Sequence, residues 1–207
     1  MSEFASTYDA LAPRYDGWSG AVMPDVRAAW ARQIEVVVSE GERVVELGCG
    51  TGVPVAKWLA ARYEYTGIDA SEGMLAEARR SVPGAEFVHA DMQTVTFEPG
   101  SLGAVIAFYS INHVPSALHA SLFATIATWL RPGGMFVASL HGGAGGEFFD
   151  PNWLDTGPME WSGLDRAGSF AAIEAAGLEI TESEVIDQVE PEGTAIHNVW
   201  LKARKPH

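Results

Sequence analysis

The sequence predicts a mostly parallel α/β sheet of seven strands, with helices on both faces and an antiparallel strand pair toward its C-terminal end. Three observations carry that expectation. Strand-like and helix-like stretches alternate from Arg43 onward, as parallel crossover units require. The apolar run Val44-Val45-Glu46-Leu47 breaks into Gly48-Cys49-Gly50-Thr51-Gly52, a strand tip where a ligand can approach the main chain closely. A second strand, Tyr65-Thr66-Gly67-Ile68-Asp69, then ends in an acid 17 residues beyond Gly52. That is close to the ~20-residue interval at which such folds place the acid that grips ribose hydroxyls.

The remaining elements follow in order. Pro54 suits a first helical turn, and residues 55–62 carry an apolar stripe through Leu59. Ser71 caps a helix over 72–81, and 85–89 reads as a third strand followed by Asp91-Met92. Residues 102–108 form an apolar run between turns, a buried strand that leads into the polar and aromatic segment Tyr109 to Pro115. A helix over 116–130 stops at Arg131-Pro132-Gly133-Gly134, and 135–140 is the fifth strand. Residues 141–166 combine glycines at 142, 143, 145 and 146 with Phe148, Phe149, Trp153 and Trp161. We expect a loop there that acts as a lid or substrate-binding insertion. A helix over 169–176 closes at Gly177, and 178–186 with 196–203 makes the final antiparallel pair.

At 207 residues the chain suits one domain, 1–207, with a helical cap over 1–40. Hydrophobic residues at 47% and charged residues at 19% exclude a disordered or fibrous class. The net charge of −14 repels polyanions, so neither nucleic acid nor a membrane surface is expected as a partner. No apolar stretch reaches the 18 or so residues of a span, and Met1-Ser2-Glu3-Phe4 lacks a basic-then-apolar leader, which predicts a cytoplasmic protein, monomeric or homodimeric. Cys49 stands alone, so no disulfide and no zinc site are expected; it reads as a small residue that fits the turn.

The turn's spacing excludes two other cradles. A dinucleotide fingerprint needs glycine where Val53 stands, and a P-loop needs a lysine that does not come until Lys57. What stands there is E-x-G-x-G-x-G from Glu46 to Gly52. Together with Ile68-Asp69, Ala90-Asp91-Met92 and Leu130-Arg131-Pro132-Gly133-Gly134, it resembles the class I S-adenosylmethionine-dependent methyltransferases that act on small metabolites. The resemblance spans roughly residues 43–140 and implies a Rossmann-like class I methyltransferase fold. The opening Tyr8 to Asp16 is similar to the cap that precedes the glycine turn in that family, where a tyrosine closes over the cofactor. Gly103 departs from the pattern, because the family often carries an acid there.

Carried over by position, the resemblance implies a site for S-adenosyl-L-methionine, leaving S-adenosyl-L-homocysteine as product. Glu46, Gly48, Cys49 and Gly50 would form the turn around its amino-acid end. Asp69 would accept the ribose hydroxyls, Ala70 and Met74 would flank adenine, and Asp91 with Met92 would meet its edge. Phe108 would offer a carbonyl to the ammonium, and Tyr15 would close the site. A carboxylate matches a vicinal diol, and a methionine packs on a flat ring.

The expected reaction is in-line transfer of a methyl group to an oxygen or nitrogen of a small acceptor, with geometry supplying most of the acceleration. The alternative is a cofactor-binding protein of the same fold with no methyl transfer or with another reaction. Ligands of open α/β sheets lie beyond the carboxyl ends of the strands, which makes His113 the best-placed base, with Tyr15 orienting it and His141 next. Tyr109, His113, His141, Trp153, Met159 and Trp161 are the expected acceptor contacts. His89 reads as a packed side chain, His119 as solvated, and His197 as dependent on its strand pairing.

Overall fold

The computed structural model describes residues 3–22, 26–189 and 195–207. Seven strands form one sheet in the order β3-β2-β1-β4-β5-β9-β8. They are β1 (Arg43–Leu47), β2 (Glu64–Asp69), β3 (Glu86–His89), β4 (Leu102–Ala107), β5 (Leu130–His141), β8 (Glu179–Val189) and β9 (Ala195–Arg204). The first five run parallel, β9 is antiparallel to β5, and β8 is antiparallel to β9. The strand order reverses at β1 and β4, so their carboxyl ends open the crevice where ligands of this architecture lie.

Alternation along the buried strands divides the core between the two faces. Val45, Val105 and Phe136 point to one side, where they pack with Phe123 and Ile126 of helix α5 (His119–Trp129) and Ile173 of α6 (Arg166–Ala175). Val44, Ala104, Ile106 and Val137 point to the other side and meet Trp30, Ile34, Leu59 and Trp200. Trp30 lies on α2 (Val26–Ala31) and Leu59 on α3 (Val55–Leu59). Both strand faces are therefore covered, and β4 is buried along its whole length.

Several boundaries differ from the sequence expectation. The helix over 116–130 divides into a 3-10 turn at Ser116–Leu118 and then α5. β5 begins at Leu130 and runs through Pro132 and Gly133, with a register shift against β4 between Leu102 and Ala104. There Arg131 grips the Glu42 carboxylate (2.6 and 3.0 Å) and the Val37 carbonyl (2.8 Å), which makes the Arg131 to Gly134 segment a brace. Its guanidinium holds the Glu42 carboxyl below the usual range. Gly103 belongs to the same corner, at the amino end of β4, where a β-carbon would lie 2.9 Å from Glu42 Oε2. Helix α6 starts at Arg166, three residues early, because Asp165 caps it by accepting the Gly168 amide (2.7 Å).

The expected loop over 141–166 is an antiparallel hairpin, β6 (Gly146–Asp150) with β7 (Met159–Gly163). Its stems approach so closely that a β-carbon at Gly145 would lie 2.7 Å from the Asp165 amide, and one at Gly163 would lie 2.6 Å from His141 Cβ. The expected 1–40 cap also divides. Helix α1 (Glu3–Val22) lies over the crevice, whereas α2 and the 3-10 turn Arg32–Val36 pack into the sheet core. Residues 23–25 lie outside the described residues.

Two histidines are corrected. His119 is 2% exposed, not solvated, and its Nε2 donates to the Val114 carbonyl at 2.9 Å. His89 is exposed, not packed, with Nε2 3.0 Å from the Ala70 carbonyl. Strand-edge position exposes the one, and the inward face of α5 buries the other.

Candidate active site

The glycine turn leaves β1 with Gly48 at φ 74° and Gly50 at φ 54°, values that favour glycine. At Gly48 a β-carbon would also fall 2.2 Å from Ser110 Cβ. Asp69, at the tip of β2, fixes the turn: its Oδ2 accepts the Gly50 amide (2.8 Å) and its Oδ1 accepts the Ser71 amide (2.9 Å). Burial pushes the Asp69 carboxyl up, and these amide bonds oppose that push. Ser71 caps helix α4 (Glu72–Ser81) by accepting the Met74 amide (3.1 Å). Asp9 of α1 reaches the same helix end, accepting Ser71 Oγ (2.6 Å) and the Gly73 amide (2.8 Å).

A cleft beyond the strand tips brings together Gly48, Gly50, Asp69, Ala70, Met74, Asp91, Met92 and Phe108, with Tyr15 across from them. These are residues the sequence proposed for the cofactor, converging from four strand ends. Glu46 and Cys49 are not on its wall. Glu46 lies beneath the turn, accepting the Tyr65 hydroxyl at 2.7 Å, and burial pushes its carboxyl up to about 8. Cys49 is buried with its thiol pushed up by desolvation, as a packing residue would be. The donor set fits an adenosyl cofactor: an acid at a ribose position, a second acid at the adenine edge, and Met74 and Met92 for the flat ring. The cleft holds only about 70 Å³, short of the ~300 Å³ or more of typical ligand pockets. Phe4, Tyr8 and Tyr15 of α1 close it, so loading requires that helix to yield.

A second, larger cavity of about 590 Å³ adjoins the first. Tyr8, Tyr15, Tyr109 and His113 line both. Its far walls come from the β6–β7 hairpin (Trp153, Trp161, Asp150) and from the β8–β9 end (Gln188, His197, Asn198). Aromatic rings dominate: Tyr8 meets Trp153 at 5.5 Å, Trp18 meets Trp153 at 5.3 Å, and Trp153 meets Trp161 at 5.6 Å. Helix α1 is tied to the hairpin by Thr7 Oγ1 donating to the Pro158 carbonyl (2.7 Å) and by Arg14 donating to the Leu154 carbonyl.

His113 occupies the junction. A carbonyl can only accept, so the 3.1 Å contact to the Glu160 carbonyl places the ring proton on Nδ1. Nε2 then accepts from the Tyr8 hydroxyl at 3.0 Å. Burial lowers the ring to about 4, which leaves it neutral at physiological pH. The Tyr8 phenol is pushed up by its own burial and stays a donor. His141 lines the chamber with Nε2 donating to the Ala144 carbonyl (2.8 Å), and His197 pairs with Asp187 (2.8 Å). Met159 is 1% exposed and off both walls, enclosed beneath the hairpin, which corrects its placement as an acceptor contact.

A family model described as a methyltransferase domain matches residues 44–134. A trans-aconitate 2-methyltransferase from Methylobacterium nodulans is 41% identical over 101 residues, covering 47% of this chain and 38% of that protein. A demethylmenaquinone methyltransferase from Beutenbergia cavernae is 30% identical over 153 residues, covering 73% and 60%. Residues 44–134 of this chain match a methyltransferase domain, in keeping with the resemblance that the glycine turn and the acids carry. The chain spans less than two thirds of the length of these curated relatives. Among solved structures, the 1,6-didemethyltoxoflavin-N1-methyltransferase of Burkholderia thailandensis, with bound 1,6-didemethyltoxoflavin and S-adenosylhomocysteine, superposes with TM-score 0.69 at 17% identity. That similarity covers 99% of this chain and 88% of the other, and it bears on the fold.

The matched 44–134 region carries the cleft residues from Gly48 to Phe108. Much of the chamber lies outside it. Sequence reasoning missed Phe4, Tyr8, Trp18, Asn112 and Gln188. For Tyr8 and Trp18 a signal existed, their helical spacing with Tyr15 along one face of α1.

Proposed function

We propose that this chain moves the methyl group of S-adenosylmethionine to a nitrogen or oxygen of a small organic acceptor held in the 590 Å³ chamber. One observation carries the reading: four side chains line both cavities, so a donor in the cleft and an acceptor in the chamber meet at a common wall. When bound, the cofactor supplies an electrophilic methyl carbon on a sulfonium. The chain's own residues do the positioning. Asp69 accepts the ribose diol, Asp91 faces the adenine edge, Ala70 and Met74 flank the ring, and Tyr15 closes over the turn. Holding two reactants in line supplies several kcal/mol of barrier reduction.

His113 serves as a positioning residue in this reading. Its basic lone pair is occupied by Tyr8, and a ring held near 4 is a poor proton acceptor at pH 7. The Tyr8 oxygen, with its own lone pairs free of that proton, is the group that orients the acceptor. The acceptor named for the Methylobacterium relative is not carried over, because among the described residues no Lys or Arg lines the chamber to meet its carboxylates.

The test is calorimetry with S-adenosylmethionine and S-adenosylhomocysteine, followed by assay of S-adenosylhomocysteine formation across amine, phenol and carboxylate acceptors. Micromolar binding with turnover on any acceptor supports the reading. Binding without turnover on all of them favours the non-methylating alternative, and absence of binding removes both.

A further inference from the structure

We infer that the chamber selects a small amine, and that the positive charge created by its methylation comes to rest among Tyr8, Trp18, Trp153 and Trp161. The inference rests on the methyl-transfer reading and narrows it to a substrate class.

The first support is the arrangement of the rings. Trp18 and Trp153 cross at 87°, Trp153 and Trp161 at 87°, and Tyr8 and Trp153 at 71°. A planar acceptor is gripped by parallel walls. Rings set edge to face leave no parallel slot, and ring faces turned to the chamber attract a compact cation through their negative quadrupoles.

Charge is the second support. Among the described residues the chamber wall carries a carboxylate, Asp150, and no Lys or Arg. Arg14, the cation that reaches the hairpin, is engaged by the Leu154 carbonyl.

The chemistry closes on these groups. The amine enters neutral, so its lone pair is available and no strong base is needed, in keeping with a His113 already occupied by Tyr8. That lone pair forms the N–CH3 bond as the S–CH3 bond breaks and its electron pair stays on sulfur. Nitrogen gains the positive charge that sulfur loses. From a primary or secondary amine, the product ammonium releases its proton to water. Because the charge grows on nitrogen during the transfer, ring faces and Asp150 bind the transition state better than the neutral amine.

The experiment compares choline with its uncharged carbon isostere, 3,3-dimethylbutan-1-ol, as ligands of the full chain in the presence of S-adenosylhomocysteine. Choline should bind at least tenfold more tightly. Trp161→Leu should cut choline affinity at least fivefold while S-adenosylhomocysteine affinity stays within twofold, and Asp150→Asn should cut it at least threefold, covering the case that the Trp161 variant does not fold. In turnover, 2-(dimethylamino)ethanol should yield S-adenosylhomocysteine and phenols or carboxylates should not. Equal affinity for the isostere, binding of neither probe, or turnover confined to phenols or carboxylates overturns the amine inference. In that last case methyl transfer itself stands. Failure to bind S-adenosylmethionine, read in a separate titration, removes the methyl-transfer reading whatever choline does.

Discussion

The cleft and the chamber are neighbours built on different principles. The cleft is assembled from strand tips of one sheet, its acids and glycines fixed within a few residues of regular structure, and Asp69 is held by two backbone amides. The chamber is assembled from pieces distant in sequence: α1, the hairpin, and the β8–β9 end, tied by side-chain bonds such as Thr7 to Pro158. The matched family region, 44–134, contains the first and leaves out much of the second. Rigid scaffold holds what every member of a family must share, and connecting segments hold what distinguishes one member from another.

The sharpest way to break this division is at Trp200, which is fully buried on β9 and packs against Phe108 at 4.9 Å and Tyr109 at 5.4 Å. Trp200→Ala should cost about 3–5 kcal/mol of stability and weaken ligand binding in both cavities, measured by denaturant unfolding and calorimetry. An effect confined to one cavity would show the division to be deeper than the packing implies.

Asp69→Ala should act on the cleft alone. Loss of a charged acceptor bond is worth ~1.5–3 kcal/mol, so S-adenosylmethionine affinity should fall by roughly ten- to hundredfold while choline affinity changes less than twofold. Equal losses in both would mean that the turn also carries the chamber.

A third measurement uses pH. Folded, the Glu46 carboxyl keeps its proton up to about 8, against 4.5 in the unfolded chain, so between these values the folded chain holds the extra proton and stability falls as pH rises. His113 works oppositely: its ring releases its proton near 4 when folded and near 6.5 when unfolded, so stability rises with pH across that interval. The two offset each other up to about 6.5. From there to 8 the Glu46 slope stands uncovered, at about 1.4 kcal/mol per pH unit. Glu46→Gln should flatten it in urea titrations at pH 6.5 and 8, and an unchanged slope would clear Glu46 of that role.

The smallest effect belongs to Tyr8→Phe. It removes the hydrogen bond to His113 and the oxygen that orients the acceptor, so turnover should drop less than tenfold, with no pH–rate limb near 6.5 in either parent or variant. A limb at 6.5 abolished by His113→Ala would restore His113 as the base, whereas a hundredfold loss in Tyr8→Phe would put the Tyr8 hydroxyl itself in the proton path.

The sequence made the cleft legible because its logic is local. A glycine turn and an acid at a set interval identify themselves without knowledge of tertiary contacts, and Gly48, Gly50, Asp69 and Asp91 all converge. Glu46 and Cys49 belong to the same motif but face beneath it, a distinction that depends on which side of the turn Tyr65 packs. The hairpin was illegible for a different reason. Its turn reverses through Leu154 at φ 50° and Asp155 at φ 57°, where glycine or asparagine would have announced a reversal, and its strands leave Phe148 and Phe149 exposed. His119 misled because an imidazole is polar by type, although its spacing places it at i, i+3, i+4 and i+7 with Leu122, Phe123 and Ile126, opposite the exposed Ser121, Thr125 and Thr128.

The crossing of the hairpin stems at Gly145 and Gly163 makes the insertion a cassette. Its base is locked where no side chain fits, with His141 on one flank and the Asp165 helix cap on the other, and everything between them projects from the sheet. A graft that keeps residues 141–146 and 163–165 and replaces the span between them would carry a different acceptor wall, provided that it preserves the Pro158 and Glu160 carbonyls that hold Thr7 and His113.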